Sequence, residues 1–229
     1  MGAVEIRVLG PLEVVRDGRT ISLSSGKQRL LLALLASHTN EVLSVDTLVE
    51  GMWSNRAPAT AVAVVQSYVS QLRKALEAPS RGASKPTVLL RAEAGYRLVV
   101  DPDLFDATQF ERLSSAGRAA LQEARPAEAH ELLGAGLALW RGVAFGELAH
   151  EAAIQPAAQR LQELHVLTLE HRAEAAVALG RHGELVGELE ALVAEHPLRE
   201  RLWGQLMVCL YRSGRQAEAL GSRPSSSLR

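Results

Sequence analysis

The 229-residue sequence has room for one large domain or two small ones, and its 47% hydrophobic content excludes wholesale disorder. It has no apolar run long enough to span a membrane, no recognisable secretory signal, and one cysteine, which excludes a disulfide framework. We therefore expect a soluble cytoplasmic protein with Cys209 as a small core residue. The net charge is −1, but residues 1–100 carry 12 basic against 8 acidic side chains, so this half is the better candidate for binding an anion.

The N-terminus has the pattern of a small antiparallel sheet. The stretches VEIRVLG and LEVVRDGRTISL alternate apolar and polar residues, as half-buried strands do. Between Val15 and Ile21, the pair Asp17-Gly18 indicates a two-residue hairpin turn, because glycine tolerates a positive φ.

Two helices are expected next. Ser24 or Ser25 can cap the stretch GKQRLLLALLASHT, whose buried stripe would contain its leucines. Ser44 can cap the shorter SVDTLVEGMW. The loop SNRAPA then leads to a third helix, with Pro58 at its start.

The third helix, residues 60–76, is predicted from a stripe of five apolar residues on one face. These are Val62, Val65, Val69, Leu72 and Leu76. A polar turn, APSRGASKP, follows, and then TVLLRAEAGYRLVV predicts two strands around a tip at residues 93–95. Strands, three helices and a β-hairpin predict a winged helix-turn-helix over residues 1–100.

The opposite face of the third helix carries small hydrogen-bonding side chains where a solvated helix normally carries mixed charges. Its residues are Thr60, Ala63, Ser67, Ser70, Gln71 and Lys74, with Gln66 and Arg73 at the flanks. Small side chains let a helix approach the floor of the DNA major groove, and Ser, Thr and Gln can contact bases or phosphates. The pattern favours a recognition helix; the alternative is an ordinary surface rich in alanine and serine.

Other basic residues stand where they could contact DNA. Lys27 and Arg29 open the first helix, whose N-terminus can bind a phosphate. Arg91 and Arg97 bracket the predicted wing tip, from which an arginine can enter a minor groove. For all four, a solvated surface charge is the alternative. If α-helical residues 60–76 form a recognition helix, the expected phosphate contacts are Lys27, Arg29, Arg73 and Arg97. The expected base contacts are Ser67, Ser70, Gln71 and Lys74.

After an acidic linker, DPDLFDATQF, the remaining sequence is expected to be helical throughout. Gly180 and Gly214 stand 34 residues apart, the period of a tetratricopeptide repeat, and each would close a turn between two helices. Five residues match the skeleton of one such repeat: Trp203, Leu206, Leu210, Gly214 and Ala219. The stretch RPAEAHELLGAGLALWRG is similar to the second helix of an earlier repeat. Trp140 and Trp203 are expected in cores, and the tail from about 221 to 229 is expected to be irregular.

Nothing in the sequence indicates catalysis. It contains no phosphate-binding loop pattern, no grouping of Ser, His and Asp, and no histidine spacing typical of a metal site. We expect no enzymatic activity, no metal and no cofactor.

Four stretches together resemble the Streptomyces antibiotic regulatory protein family. They are IRVLGPLEVVRDGRTISLSSGKQRLLLALLA, LSVDTLVEGMW, VQSYVSQLRKAL and AGYRLVVDPDLFDATQFERL. The resemblance implies an OmpR-type winged helix at 1–100, followed by an all-α bacterial transcriptional activation domain of tetratricopeptide-like helices at 101–229.

The same resemblance implies a function. Family members activate biosynthetic gene clusters, including those for antibiotics, by binding direct repeats in promoter DNA as dimers and recruiting RNA polymerase. In this fold the loop before the recognition helix contacts the polymerase holoenzyme through its sigma factor and beta subunit. Here that loop would contain Trp53, Ser54, Asn55 and Arg56.

The sequence departs from the family pattern at three places. Ser54-Asn55 follows Trp53 where relatives often have glycine and an acid, and Gln71 stands where many have arginine. The tail GSRPSSSLR replaces a long amphipathic helix, as a truncated or altered end would. The alternative function is a protein-interaction module, in which the repeat domain binds a partner and the winged helix is a scaffold.

Overall fold

The computed structural model describes residues 4–23, 25–77 and 87–221. The chain forms two compact units, Met1–Phe110 with Leu139–Glu163, and Glu111–Ala138 with Leu164–Arg229. The domain boundary at residue 100 stays a prediction, since packing alone groups Leu139–Glu163 with the N-terminal residues. Ser24, the polar turn at 78–86 and the tail at 222–229 lie outside the described residues.

Within the described ranges the strands are β1 (Val4–Arg7), β2 (Glu13–Arg16), β3 (Arg19–Thr20), β4 (Leu43–Ser44), β5 (Leu89–Arg91) and β6 (Gly95–Leu98). The α-helices are α1 (Gly26–Ser37), α2 (Val45–Trp53), α3 (Ala61–Leu76), α4 (Asp106–Gln122), α5 (Pro126–Leu137), α6 (Gln155–Ala178), α7 (His182–Glu195), α8 (Glu200–Arg212) and α9 (Gln216–Gly221). The predicted order of a small sheet, three helices and a β-hairpin is confirmed.

The first sheet has the antiparallel order β1-β2-β3, and its hairpin turn is the predicted one. Asp17 and Gly18 have φ angles of 51° and 74°, the left-handed conformation that a two-residue turn requires. The second sheet has the order β4-β6-β5, so the wing hairpin pairs with the short strand between α1 and α2.

The predicted helix caps are present. The Ser25 hydroxyl accepts from the Gln28 N–H at 3.1 Å, and the Ser44 hydroxyl accepts from the Thr47 N–H at 3.0 Å. Each cap satisfies a backbone donor that the first helical turn leaves free. Helix α1 is buried on all sides from Leu30 to Ala36, more completely than a single stripe predicts, because it is the central helix of the winged-helix core.

The expectation of continuous helix after residue 101 was wrong at 138–154, where the structure describes only a 3₁₀ turn, Gly146–His150. Here the backbone bonds to residues following β1 instead. The Arg141 N–H donates to the Leu9 carbonyl and the Phe145 N–H to the Val8 carbonyl, both at 2.7 Å. These bonds satisfy groups that a helix would otherwise pair internally, so the segment is stable without helical structure.

The acidic stretch at 101–110 is also more than a linker. Asp106 is buried at the start of α4 and accepts from the N–H groups of Val8 and Leu9 at 2.8–3.0 Å. Burial raises the pKa of Asp106, and the two N–H donors and Arg141, 3.5 Å away, act in the opposite direction. Composition suggested a solvated linker because the partners of this carboxylate lie about a hundred residues away in the sequence.

The second unit contains the predicted helix pairs. Gly180 and Gly214 have φ angles of 78° and 80°, and each closes the turn before a new helix. One apolar cluster joins residues of α6, α7, α8 and α9, including Cys209, which is fully buried as expected. Burial raises the pKa of its thiol. Helix α5 confirms the predicted earlier helix, and Leu133 on it packs with Ala120 on α4.

The two tryptophans expected in cores are each half-buried at the edge of one. Trp140 meets Phe110 edge-on, with ring centroids 5.2 Å apart. Trp203 packs against the apolar cluster of the second unit, and its indole N–H donates to the Pro197 carbonyl at 2.9 Å. None of the described helices is long and apolar enough to cross a membrane.

Candidate nucleic-acid interface

Helix α3 has one buried face and one exposed face. Val65, Val69, Leu72 and Leu76 are buried as predicted. Val62 is not; its side chain is 46% exposed, and Ala61 is buried in its place. Val62 stands in the first turn of α3 at one edge of the apolar stripe, so helical periodicity alone does not decide its burial.

The opposite face of α3 is open to solvent over its whole length. Six of the seven α3 residues predicted to contact DNA are exposed: Thr60, Gln66, Ser67, Ser70, Gln71 and Lys74. The Gln71 amide donates to the Ser67 hydroxyl at 3.4 Å, a weak bond that either side chain can exchange for a base or phosphate. The helix contains no acidic side chain, and its last turn is basic. This surface, which we call the α3 face, can approach a polyanion without charge repulsion.

The seventh residue, Arg73, lies between α3 and the wing. Its Nε donates to the Leu89 carbonyl at 2.9 Å, and its guanidinium carbon is 5.9 Å from the centre of the Tyr96 ring. Nη2 is buried and has no hydrogen-bond partner within the described residues. One turn later, Glu77 accepts from the N–H of Thr87, at 3.1 Å, and of the next two residues. Arg73 and Glu77 thus fix the first wing strand to the C-terminal end of α3.

The wing carries the two predicted arginines on its exposed surface. The guanidinium carbon of Arg91 also lies close to Tyr96, 5.8 Å from the centre of its ring, and Arg97 is exposed on β6. The tip is formed by residues 93 and 94, since Ala92 and Gly95 exchange both backbone hydrogen bonds across it. The wing therefore presents one exposed arginine, Arg97, beside another that packs on a buried ring.

The two cations that open α1 both have partners inside the first unit. The Lys27 ammonium donates to the Met52 carbonyl and lies 5.6 Å from the centre of the Trp53 ring. Arg29 is 2.6 Å from the carboxylate of Glu147. Their predicted phosphate contacts stay predictions; DNA would have to compete with these internal bonds.

The loop between α2 and α3 is the predicted polymerase contact. It begins at Trp53, which is half-buried, and continues as a 3₁₀ turn, Ser54–Arg56. Ser54 ends α2 with a φ of 52°, and its N–H donates to the Glu50 carbonyl. Ser54 and Arg56 are exposed, and Asn55 lies between them in the turn. The loop thus places two exposed polar side chains, Ser54 and Arg56, shortly before the start of α3.

Two family models match almost the whole chain. Residues 18–98 match "Transcriptional regulatory protein, C terminal", and residues 105–222 match "Bacterial transcriptional activator domain". The chain belongs to the Streptomyces antibiotic regulatory protein family. The fold expected from the resemblance, a winged helix followed by helical repeats, is the fold observed.

Relatives within this family cover the chain from end to end. It is 38% identical to the transcriptional regulatory protein EmbR of Mycobacterium tuberculosis over 96% of its own length and 56% of EmbR. It is 37% identical to the regulatory protein DnrI of Streptomyces peucetius over 95% of its length and 81% of DnrI. The solved structure of M. tuberculosis EmbR in complex with a low affinity phosphopeptide superposes with a TM-score of 0.90, at 38% identity, over 97% of this chain and 58% of that one. The chain thus spans a little over half the length of EmbR.

Sequence reasoning did not predict the roles of three residues that contact the candidate DNA-binding side chains or their neighbours. Tyr96 appeared as one apolar position of a strand, yet two arginines pack on its ring. Glu77 was assigned no role from the sequence, yet its carboxylate accepts from the backbone N–H groups of residues 87–89 at the start of β5. Glu147 lies more than a hundred residues from its partner Arg29. The four-residue spacing of Arg73 and Glu77, one helical turn, is the one local signal that could have suggested a joint role.

Proposed function

We propose that this chain is a DNA-binding transcriptional activator that binds direct repeats in promoter DNA as a dimer and recruits RNA polymerase. The promoter would be that of a biosynthetic gene cluster, of the antibiotic type. Family membership supports transcriptional regulation. The observation that carries DNA binding is the α3 face, which is fully exposed, acid-free and ends in a cation.

The contacts on DNA divide into two kinds. Ser67, Ser70, Gln71 and Gln66 lie along the middle of the α3 face, where side chains of an inserted helix meet base edges. Lys74 and Arg97 lie at the C-terminal end of that face and on the wing, both exposed, and supply phosphate contacts. For Lys74 this replaces the base contact expected from the sequence, because it stands in the last turn of α3 and base contacts come mainly from the N-terminal part of a recognition helix. Affinity therefore depends on salt, and specificity depends on the serine and glutamine side chains.

Recruitment of polymerase is assigned to the loop that contains Trp53, Ser54, Asn55 and Arg56. Its partners would be the sigma factor and beta subunit of the holoenzyme. The support is the position of the loop directly before α3, on a 3₁₀ turn in which Ser54 and Arg56 are exposed. A protein acting on promoter DNA works in the bacterial cytoplasm, and the proposal assigns it no catalytic step and no cofactor.

The test is a salt-titrated binding assay on promoter DNA carrying the direct repeats, with a shuffled-repeat probe as control. We expect binding that requires the repeats. Ser70→Ala should lower operator affinity by about 1–3 kcal/mol if it removes a base contact. Lys74→Ala should weaken binding to both probes. It should also reduce the salt slope, the slope of log affinity against log salt concentration, by about one.

Two exposed residues of the second unit provide matched controls. Ser115 is an exposed helical serine, and Arg212 is an exposed cation in the last turn of α8, as Lys74 is in α3. Alanine at either position should leave DNA affinity unchanged. Equal, weak binding of both probes that disappears at moderate salt would reject the proposal and favour the protein-interaction module.

A further inference from the structure

We propose that Lys27 is a positioning residue that holds the loop between α2 and α3 in the geometry required for polymerase contact. This inference rests on the proposed function and adds to it a residue outside the loop. In this role Lys27 would not make the contact to a DNA phosphate that its position at the N-terminus of α1 predicts.

Lys27 reaches across from α1 to the C-terminal end of α2. Its ammonium group donates a hydrogen bond to the carbonyl of Met52, the second-last residue of α2. A cation at this end of a helix is favourable because the last carbonyls carry partial negative charge and have no helical partner. The same ammonium lies 5.6 Å from the centre of the Trp53 ring, within the range of a cation–π contact.

The loop depends on how α2 ends. Ser54 takes a left-handed φ of 52°, which is unfavourable for a residue with a Cβ and persists only where its neighbours impose it. Its N–H donates to Glu50, and the chain then enters the 3₁₀ turn Ser54–Arg56. Lys27 binds the two residues directly before Ser54, so it acts at the point where the path of the loop is decided.

Packing against α1 fixes α2 as far as Gly51, and the residues after it depend on other contacts. A Cβ added to Gly51 would lie 2.9 Å from a methyl carbon of Leu34 on α1. The two helices are thus in close contact one turn before the loop, and Lys27 makes the polar contact at the edge of that packing. Removing its charge should free the end of α2 without disturbing the core.

The competing role, a phosphate contact, fits Lys27 less well than it fits Lys74. Lys27 is half-buried with two internal partners, whereas Lys74 is exposed on the α3 face. The other cation in the first turn of α1, Arg29, is also engaged internally, with Glu147. Both cations in the first turn of α1 therefore contact other residues of the first unit.

The test compares three variants of the full chain: Lys27→Met, which keeps side-chain length without charge, Lys27→Arg, which keeps the charge, and Lys74→Met as the matched DNA-contact control. For Lys27→Met we expect operator affinity within about twofold of the parent and an unchanged salt slope. Transcription in vitro at saturating operator occupancy should fall at least about fivefold, and Lys27→Arg should restore most of it. Lys74→Met should show the reverse, with weaker binding but near-normal transcription once the operator is saturated.

Amide hydrogen exchange gives a second readout that does not need DNA. In Lys27→Met, exchange at residues 53–57 should accelerate while that of α3 residues 65–76 stays as in the parent. If Lys27→Met does not fold, Lys27→Gln is measured in its place.

Three results would overturn the inference. They are unchanged exchange at 53–57, full transcription by Lys27→Met at saturation, or a tenfold loss of operator affinity with a salt slope lower by about one. The last would return Lys27 to a phosphate contact. Failure of the proposed function is a different result: the parent chain itself would show no repeat-dependent binding, while the exchange experiment would still decide whether Lys27 holds the loop.

Discussion

The carboxylate of Asp106 and the backbone N–H of Val8 form a buried hydrogen bond, 2.8 Å to one oxygen and 2.9 Å to the other, across 98 residues of sequence. The same carboxylate also accepts from Leu9. A single side chain at the start of α4 thus satisfies the donors that follow strand β1. This contact ties residues beyond the winged helix to its first sheet within one compact unit.

Asp106→Ala should lower the free energy of unfolding by about 2–4 kcal/mol, because it leaves buried N–H groups without an acceptor. The measurement is urea denaturation of the full chain. Glu41→Ala, which removes an exposed carboxylate, is the control and should change stability by less than about 0.5 kcal/mol. Similar small effects of both substitutions would show that the Asp106 contact is dispensable.

Gly95→Ala should destabilise the wing, since an added Cβ would lie 1.9 Å from the carbonyl oxygen of Leu43 in the paired strand β4. Strand separation to relieve this overlap should cost about 1–3 kcal/mol or more. Gly134→Ala provides the opposite case, because its Cβ meets nothing within 4 Å on helix α5 and alanine favours helix by about 1 kcal/mol. Thermal unfolding should therefore shift down for the first variant and up for the second; shifts of the same sign would contradict this account.

Arg73→Lys tests the contacts that Arg73 makes between α3 and the wing, while keeping its positive charge. Lysine cannot reproduce both the bond to the Leu89 carbonyl and the stacking on Tyr96, so stability should fall by about 1–2 kcal/mol. The salt slope of DNA binding should stay unchanged, because no cation is lost. Unchanged stability together with weaker operator binding would instead identify Arg73 as the phosphate contact that the sequence predicts, because lysine cannot reproduce the paired hydrogen bonds of a guanidinium to a phosphate.

Stability should also rise with pH below neutrality because of His165. Burial, together with His196, lowers the pKa of His165 to about 4, whereas Glu195 acts in the opposite direction. The unfolded chain, with a histidine pKa of about 6.5, binds a proton that the folded chain does not bind between these values. The contribution is therefore complete above pH 6.5 and is lost as pH falls towards 4, with a slope of at most about 1.4 kcal/mol per pH unit.

His165→Asn should remove most of this slope in denaturation experiments between pH 4.5 and 7. A smaller slope of the same sign should remain, because burial and the nearby Arg201 also lower the pKa of His171. A variant with the full slope of the parent would show that His165 is solvated in the folded state.

Patterns confined to one element were sufficient to predict the local structure. The turn at Asp17-Gly18, the caps Ser25 and Ser44 and the glycine turns 34 residues apart were all confirmed, because each depends on backbone chemistry within a few residues. The exposed face of α3 was predicted for the same reason: helical periodicity alone separates Ser67 and Ser70 from the buried stripe.

The winged-helix order was predictable because its elements follow one another in the chain, each with its own period and turn signals. That order, with the four quoted stretches, was enough to indicate the family. Whether a single side chain at the end of a helix is buried was not predictable, as Val62 shows. Whether the first turn of a helix is covered depends on neighbouring elements that its own sequence does not encode.

Only the tertiary structure decided which charges are available to a partner. Lys27, Arg29 and Arg73 have the sequence signature of phosphate contacts, yet the structure places each beside an internal acceptor or ring. Asp106 likewise has the sequence context of a linker but is buried against backbone donors from β1 and the residues after it. A charged side chain interacts over a few ångströms in space, and its nearest partner is set by folding across tens to a hundred residues. The sequence therefore determined the exposed face of α3 that we propose to bind DNA, and tertiary packing determined which cations around it are engaged within the protein.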